Sequence, residues 1–134
     1  MELLDTSLIT DFPGKVKLGF SEIKTDLSID LLSERERLEW DGFTNQQRKD
    51  EYLSARHLFK EILSVSGLSS DFEILKHPLG KPYAQTGNKE LFLSFSHSKN
   101  HVFCAISETV DIGLDTEWLD RKVDQRIVKR IPGE

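Results

Sequence analysis

The chain has 134 residues, a length that suits one domain burying roughly two thirds of the surface its unfolded form would expose. With 37% apolar and 31% charged residues, its composition is that of an ordinary globular protein, neither disordered nor membrane-embedded. A formal net charge of -5 argues against nucleic-acid binding along the whole surface, which needs Lys and Arg to neutralise phosphates, and leaves room for a local basic pocket.

The single cysteine, Cys104, stands inside an apolar run, so no internal disulfide can form and nothing points to an oxidising compartment. It reads as a small buried apolar residue. Residues 1–5 carry no basic segment followed by a long apolar run, and no stretch approaches the ~18 apolar residues of a membrane helix. The expectation is a cytoplasmic protein with no membrane partner and no nucleic-acid partner.

In chain order, Val16, Leu18 and Phe20 alternate with Lys15, Lys17 and Gly19, the period of a half-buried strand that Ile23 extends. Ser33-Glu34-Arg35-Glu36 is a Ser-x-x-Glu capping box, so a short helix begins near Ser33, its many charges forming a solvated face. Thr44-Asn45-Gln46-Gln47 repeats the start signal and opens the longest helical pattern, about 44–66. There Tyr52, Ala55, Phe59 and Ile62 recur at three- and four-residue steps, Leu58 and Leu63 widen the stripe, and Gly67 supplies the stop. Arg48, Tyr52 and Arg56 share one edge of that stripe, which points two guanidinium groups toward one region; exposed, solvated arginines are the alternative.

Residues 72–75 read as a short strand, followed by the shaped loop His77-Pro78-Leu79-Gly80-Lys81-Pro82 and a resumed strand at Tyr83-Ala84. Such a loop can hold Lys81 in a fixed place; a solvated lysine is the alternative. A second turn, Thr86-Gly87-Asn88-Lys89, leads to two apolar runs, 91–95 and 102–106, separated by Ser96–His101: a buried antiparallel hairpin. Val110–Glu117 reads as a further strand, with Gly113, Asp115 and Glu117 on one face. Beyond Trp118, Val123, Ile127 and Ile131 fall at four-residue steps among basic residues, the pattern of a charged helix.

Two constellations carry chemistry. Asp115 and Glu117 set their carboxylates about 7 Å apart along a strand, able to converge on one hard cation such as Mg²⁺; a solvated strand end is the alternative. His97 between Ser96 and Ser98 offers a ring nitrogen and two hydroxyls to an anion; a structural histidine satisfied by hydrogen bonds is the alternative. A Ser–His nucleophile pair is disfavoured, because neighbours on a strand point to opposite faces and no glycine-bracketed elbow surrounds either serine. His57, His77 and His101 have no companions at zinc-ligand spacing.

The order of these features is more specific than any one. A helix with Arg56, then Gly80-Lys81-Pro82, then Ser96-His97-Ser98 ending a strand, then Gly113-Leu114-Asp115-Thr116-Glu117 resembles the 4′-phosphopantetheinyl transferases of the surfactin-synthetase-activating type, over roughly residues 33 to 130. The resemblance implies an α+β fold, the first half of a pseudo-dimer in which an antiparallel sheet packs on a long helix. Residues 1–110 would form that half and 111–134 the opening strand and helix of a second.

It also implies an enzyme that moves the phosphopantetheine arm of coenzyme A onto a serine of an acyl or peptidyl carrier protein. Asp115 and Glu117 would hold Mg²⁺ as catalytic ligands, Lys81 would contact phosphate, Ser96 and His97 would hold the 3′-phosphate region, and Arg48 and Arg56 would add positive charge. Two departures qualify the resemblance. Glu36 and Glu39 stand where relatives often place lysines, and the Trp-x-x-Lys-Glu segment of the second half is missing from this sequence. The alternative is therefore a non-catalytic module that keeps coenzyme A or carrier-protein binding, with self-association covering apolar surface.

Overall fold

A computed structural model describes residues 2–4, 16–109, 111, 113 and 128–129. The fold is α+β. Among the described residues two helices, α1 (Glu34–Asp41) and α2 (Gln46–Val65), accompany an antiparallel sheet of β1 (Glu2–Leu4), β2 (Val16–Glu22), β3 (Glu73–Lys76), β4 (Pro82–Thr86), β5 (Lys89–His97), β6 (His101–Ser107) and β7 (Val128–Lys129). The order across the sheet is β3-β4-β5-β6-β2-β1-β7. Five strands of four to nine residues carry the sheet, and the short β1 and β7 extend it beyond β2.

Local chemistry sets the helix ends. The Ser33 side chain accepts from the Glu36 N–H at 3.2 Å, while Glu36 Oε1 accepts from the Ser33 N–H at 3.0 Å, completing the expected capping box. At α2 the cap is Asn45 rather than Thr44: its Oδ1 accepts from the Arg48 N–H at 3.2 Å. The helix stops in a Schellman arrangement, Leu68 N–H to Leu63 C=O and Gly67 N–H to Ser64 C=O, with Gly67 at φ 71°.

The stripe on α2 becomes the core. Leu58, Phe59, Ile62 and Leu63 are at most 1% exposed and pack with Phe72, Ile74, Ala84, Leu91, Leu93, Val102, Cys104 and Ile106. Burial of each large side chain contributes on the order of 2 kcal/mol relative to leaving it in water. Ser54, buried in mid-helix, accepts from the Lys24 N–H and donates to the Lys24 C=O, clamping the chain after β2 onto α2.

The β5–β6 register pairs Leu93 with Ile106, Phe95 with Cys104 and His97 with Val102, so these residues share the face that α2 covers. The opposite face carries Val16, Leu18 and Phe20 of β2 beside Phe103 and Ala105 of β6, all buried.

Several boundaries differ from the sequence expectation. The expected hairpin of 91–95 and 102–106 is longer, so Ser96 and His97 belong to β5 itself. Not all of the α1 charges are solvated, because Glu36 is buried. Of the expected strand Val110–Glu117 only Asp111 and Gly113 are described, both exposed and outside regular structure. Val128 and Lys129 lie in a strand paired with β1, where four-residue spacing suggested a helix. The remainder of the expected helix after Trp118 lies outside the described residues.

Candidate functional site

On the face shared by α2 and the sheet, the contact is apolar toward the C-terminal half of the helix and opens into a cleft at its N-terminal half. The reason is in the sequence: the helix face that offers Phe59, Ile62 and Leu63 at one end offers Arg48, Glu51, Tyr52 and Arg56 at the other. The cleft has a volume of about 400 Å³. Its opposite wall is β5 from Leu93 to His97, bordered by Lys76, Gly80, Lys81 and Pro82 from the β3–β4 hairpin. Pairing between β4 and β5 runs only from Thr86–Lys89 to Tyr83–Phe92, so beyond Phe92 the edge of β5 faces this space.

Turn geometry places Lys81. The Gly80 N–H donates to the His77 C=O and the His77 N–H to the Lys81 C=O, both at 2.8 Å, closing a three-residue loop of Pro78, Leu79 and Gly80. Pro78 has the φ that the first central position of a type I turn needs, and Gly80, at φ 93°, takes the left-handed position that ends it. Lys81 is half-exposed and pairs with Asp111.

Arg56 is held most firmly. It is 8% exposed, its Nε donates to Glu36 Oε2 at 3.0 Å, and its guanidinium lies 4.0 Å from the Tyr52 ring centroid and 4.7 Å from that of Phe95. Glu36 thus caps α1 with one oxygen and neutralises Arg56 with the other. Arg48 is more open, with its side chain 54% exposed, lying over the Phe43 ring at 5.1 Å and 3.9 Å from Glu51. Glu39 pairs with Lys76 at 3.2 Å.

Glu51 Oε2 is also 3.1 Å from His97 Nδ1, a hydrogen-bond distance without hydrogen-bond alignment, and that oxygen is buried. Burial pushes the Tyr52 hydroxyl up to about 12; the Arg56 guanidinium opposes this, and the carboxylates of Glu39 and Glu36 add to it. The hydroxyl therefore stays neutral.

Five residues singled out in the sequence, Arg48, Arg56, Lys81, Ser96 and His97, line this one cleft although they span nearly fifty positions. Ser96 pairs with Phe103 and His97 with Val102, so their side chains leave β5 on opposite faces and do not form one two-pronged contact. Asp115 and Glu117 lie outside the described residues. Among the described residues no group of three or more His, Cys, Asp or Glu side chains could hold a metal ion, and no helix is long and apolar enough to cross a membrane.

Sequence reasoning missed Glu51, Lys76 and Phe95 as cleft residues, and it treated Tyr52 only as part of the apolar stripe. Glu51 had a local signal, its position one helical turn after Arg48; Lys76 and Phe95 had none, since only sheet register brings them in.

Chemically, the cleft gathers five basic groups, Arg48, Arg56, Lys76, Lys81 and His97, and matches each with an acid. Half-exposed ion pairs are worth about 0–1 kcal/mol, so Lys76, Lys81 and the open Arg48 can exchange a carboxylate for a phosphate at little cost. The arrangement suits a multiply charged anion with an apolar portion, which Phe43, Tyr52 and Phe95 would face. Comparison with protein-family models and with the curated proteins returns no match to this chain.

Proposed function

We propose that the chain is a 4′-phosphopantetheinyl transferase, or the N-terminal part of one, acting between coenzyme A and a serine of an acyl or peptidyl carrier protein. The observation that supports this reading is the convergence of Arg48, Arg56, Lys81, Ser96 and His97 on one cleft.

The chemistry is consistent. Coenzyme A presents a pyrophosphate and a 3′-phosphate; Lys81 and Arg48 are cations in pairs that can exchange, and His97 offers a ring N–H. Lys81 takes the pyrophosphate side, His97 and the β5 edge at Ser96 the 3′-phosphate side, and Arg56 holds the intervening wall. In the reaction the serine oxygen bonds to the phosphorus bearing pantetheine, the serine proton leaves, and the bond to 3′,5′-adenosine bisphosphate breaks.

A metal fits this assignment on donor chemistry. Asp111, the partner of Lys81, belongs to the same stretch as Asp115 and Glu117, and a pair of carboxylates is a donor set that Mg²⁺ takes, completed by water and phosphate oxygens. Asp115 and Glu117 would hold the ion, which supplies charge neutralisation at the pyrophosphate.

Calorimetric titration with coenzyme A tests the reading. Binding should depend on Mg²⁺ and weaken roughly tenfold or more in Asp115→Ala, since one of two carboxylate ligands is lost. Binding indifferent to both changes would sink it. Mass spectrometry of an apo-carrier protein then separates transfer from binding alone: labelling marks the enzyme, and binding without labelling marks the non-catalytic module.

A further inference from the structure

Glu51 is out of place in a cleft for anions. It sits on α2 with its side chain 12% exposed, one turn from Arg48 and facing His97 across the gap between helix and sheet. Its Oε2 is buried and has no aligned hydrogen bond, a condition that costs free energy for a carboxylate oxygen. Two donors stand nearest it: His97 Nδ1 at 3.1 Å and Arg48 Nη1 at 3.9 Å. The other charged groups around the cleft are committed elsewhere: Arg56 to Glu36, Lys76 to Glu39 and Lys81 to Asp111.

We infer that Glu51 is the positioning residue for His97: its carboxylate accepts from Nδ1–H, fixes the ring across the cleft, and presents Nε2 to the phosphate of the bound ligand. The inference rests on reading the cleft as the coenzyme A phosphate site. The physical cause is reciprocal need. A histidine on a strand is free to turn about its side-chain bonds, and which nitrogen carries the proton is set by the hydrogen bond that the other ring nitrogen makes. A buried carboxylate oxygen 3.1 Å from Nδ1 selects Nδ1 as the donor side.

With a phosphate bound, the ring carries a proton on each nitrogen, Nδ1–H toward Glu51 and Nε2–H toward the phosphate, and Glu51 supplies the counter-charge. The same carboxylate keeps Arg48 near the mouth without burying it. An acid in an anion site would otherwise only repel its ligand. Here it orients a donor, as outer carboxylates orient histidines that face metals.

Two substitutions separate orientation from repulsion. Glu51→Gln keeps an acceptor oxygen and removes the charge; Glu51→Ala removes both. Each variant is titrated with adenosine 3′,5′-bisphosphate by calorimetry, and His97 is observed by ¹⁵N-edited NMR in the ligand-free chain at alkaline pH, where imidazole side chains are neutral. The expected result is a roughly tenfold weakening in Glu51→Ala, binding within about threefold of wild type in Glu51→Gln, and an Nδ1–H ring in wild type and Glu51→Gln that switches to Nε2–H in Glu51→Ala.

Tighter binding in both variants would show that Glu51 only repels the ligand and would overturn the inference, as would a His97 proton position unchanged in Glu51→Ala. If the wild-type chain binds neither adenosine 3′,5′-bisphosphate nor coenzyme A, the reading of the cleft falls by itself. The NMR comparison still decides whether Glu51 positions His97.

Discussion

Removing Glu36 tests how the cleft is held open and charged. Its carboxylate joins two structures: the start of α1, through the Ser33 N–H, and Arg56 on α2, through a 3.0 Å hydrogen bond. Arg56 is 8% exposed and flanked by the rings of Tyr52 and Phe95, so without Glu36 its charge is left in an apolar setting. Removing one partner of a buried pair costs about 3–5 kcal/mol, and the side chains here, 10% and 11% exposed, justify the lower end. Loss of the reciprocal capping bond adds on the order of 0.5–1 kcal/mol. Glu36→Ala should therefore lose about 3–4 kcal/mol, with urea unfolding as the assay. Glu36→Gln has one acceptor oxygen where the carboxylate uses two, so it keeps either the Ser33 cap or the Arg56 bond and should recover only about 1 kcal/mol of that loss. A double-mutant cycle with Arg56→Met completes the test: the pair replaced together should cost less than the sum of the single changes by about 2 kcal/mol. Single variants within about 0.5 kcal/mol of wild type, or strict additivity, would refute the view that this pair anchors the cleft wall.

Gly80→Ala probes the loop that aims Lys81. No neighbouring atom lies within 4 Å of an added Cβ, so the cost comes from holding a non-glycine residue at φ 93°, about 1–2 kcal/mol. Coenzyme A affinity should fall in parallel as the loop relaxes and Lys81 turns away; unchanged affinity would show that Lys81 contributes nothing fixed. Cys104 is fully buried and its thiol is pushed well up by that burial, so thiol reagents should label it only at the rate of unfolding; rapid labelling of the native chain would contradict the packing. The same burial gives a pH dependence. Tyr52 titrates at about 12 when folded against about 10 when unfolded, and the Cys104 thiol is raised as well, so the unfolded chain releases these protons first. Their contribution is complete at neutral pH and is lost as pH rises through the alkaline range, a decline that Tyr52→Phe and Cys104→Ala should flatten in urea midpoints measured from pH 8 to 11.

Local grammar in the sequence determined much of this molecule. Ser33 and Glu36 close a capping box because both groups lie within one helical turn. The three- and four-residue spacing from Ala55 to Leu63 makes an apolar stripe whatever it packs on, and the glycines at 80 and 87 adopt positive φ where two hairpins turn. Such signals depend on neighbours within about five residues, and a chain read in one dimension contains them in full. Even there, competition between adjacent caps was settled only in three dimensions: Asn45 rather than Thr44 closes α2.

Tertiary structure alone decided what the charged residues do. The capping box marks Glu36 as a helix-start residue but not as a buried one; it is buried because Arg56, twenty positions later, reaches it across the α1–α2 contact. Lys76 and Phe95 enter the cleft through strand register, which shifts an entire face when it slips by one residue. Glu51 meets His97 only because α2 lies over the end of β5. Helical spacing singled out Arg48 and Arg56, and ordered motifs singled out Lys81, Ser96 and His97, but long-range packing placed them around a common space. The physical reason is range: turn and helix preferences are fixed by short stretches of chain, whereas the partner of a buried charge is set by the pairing of distant segments.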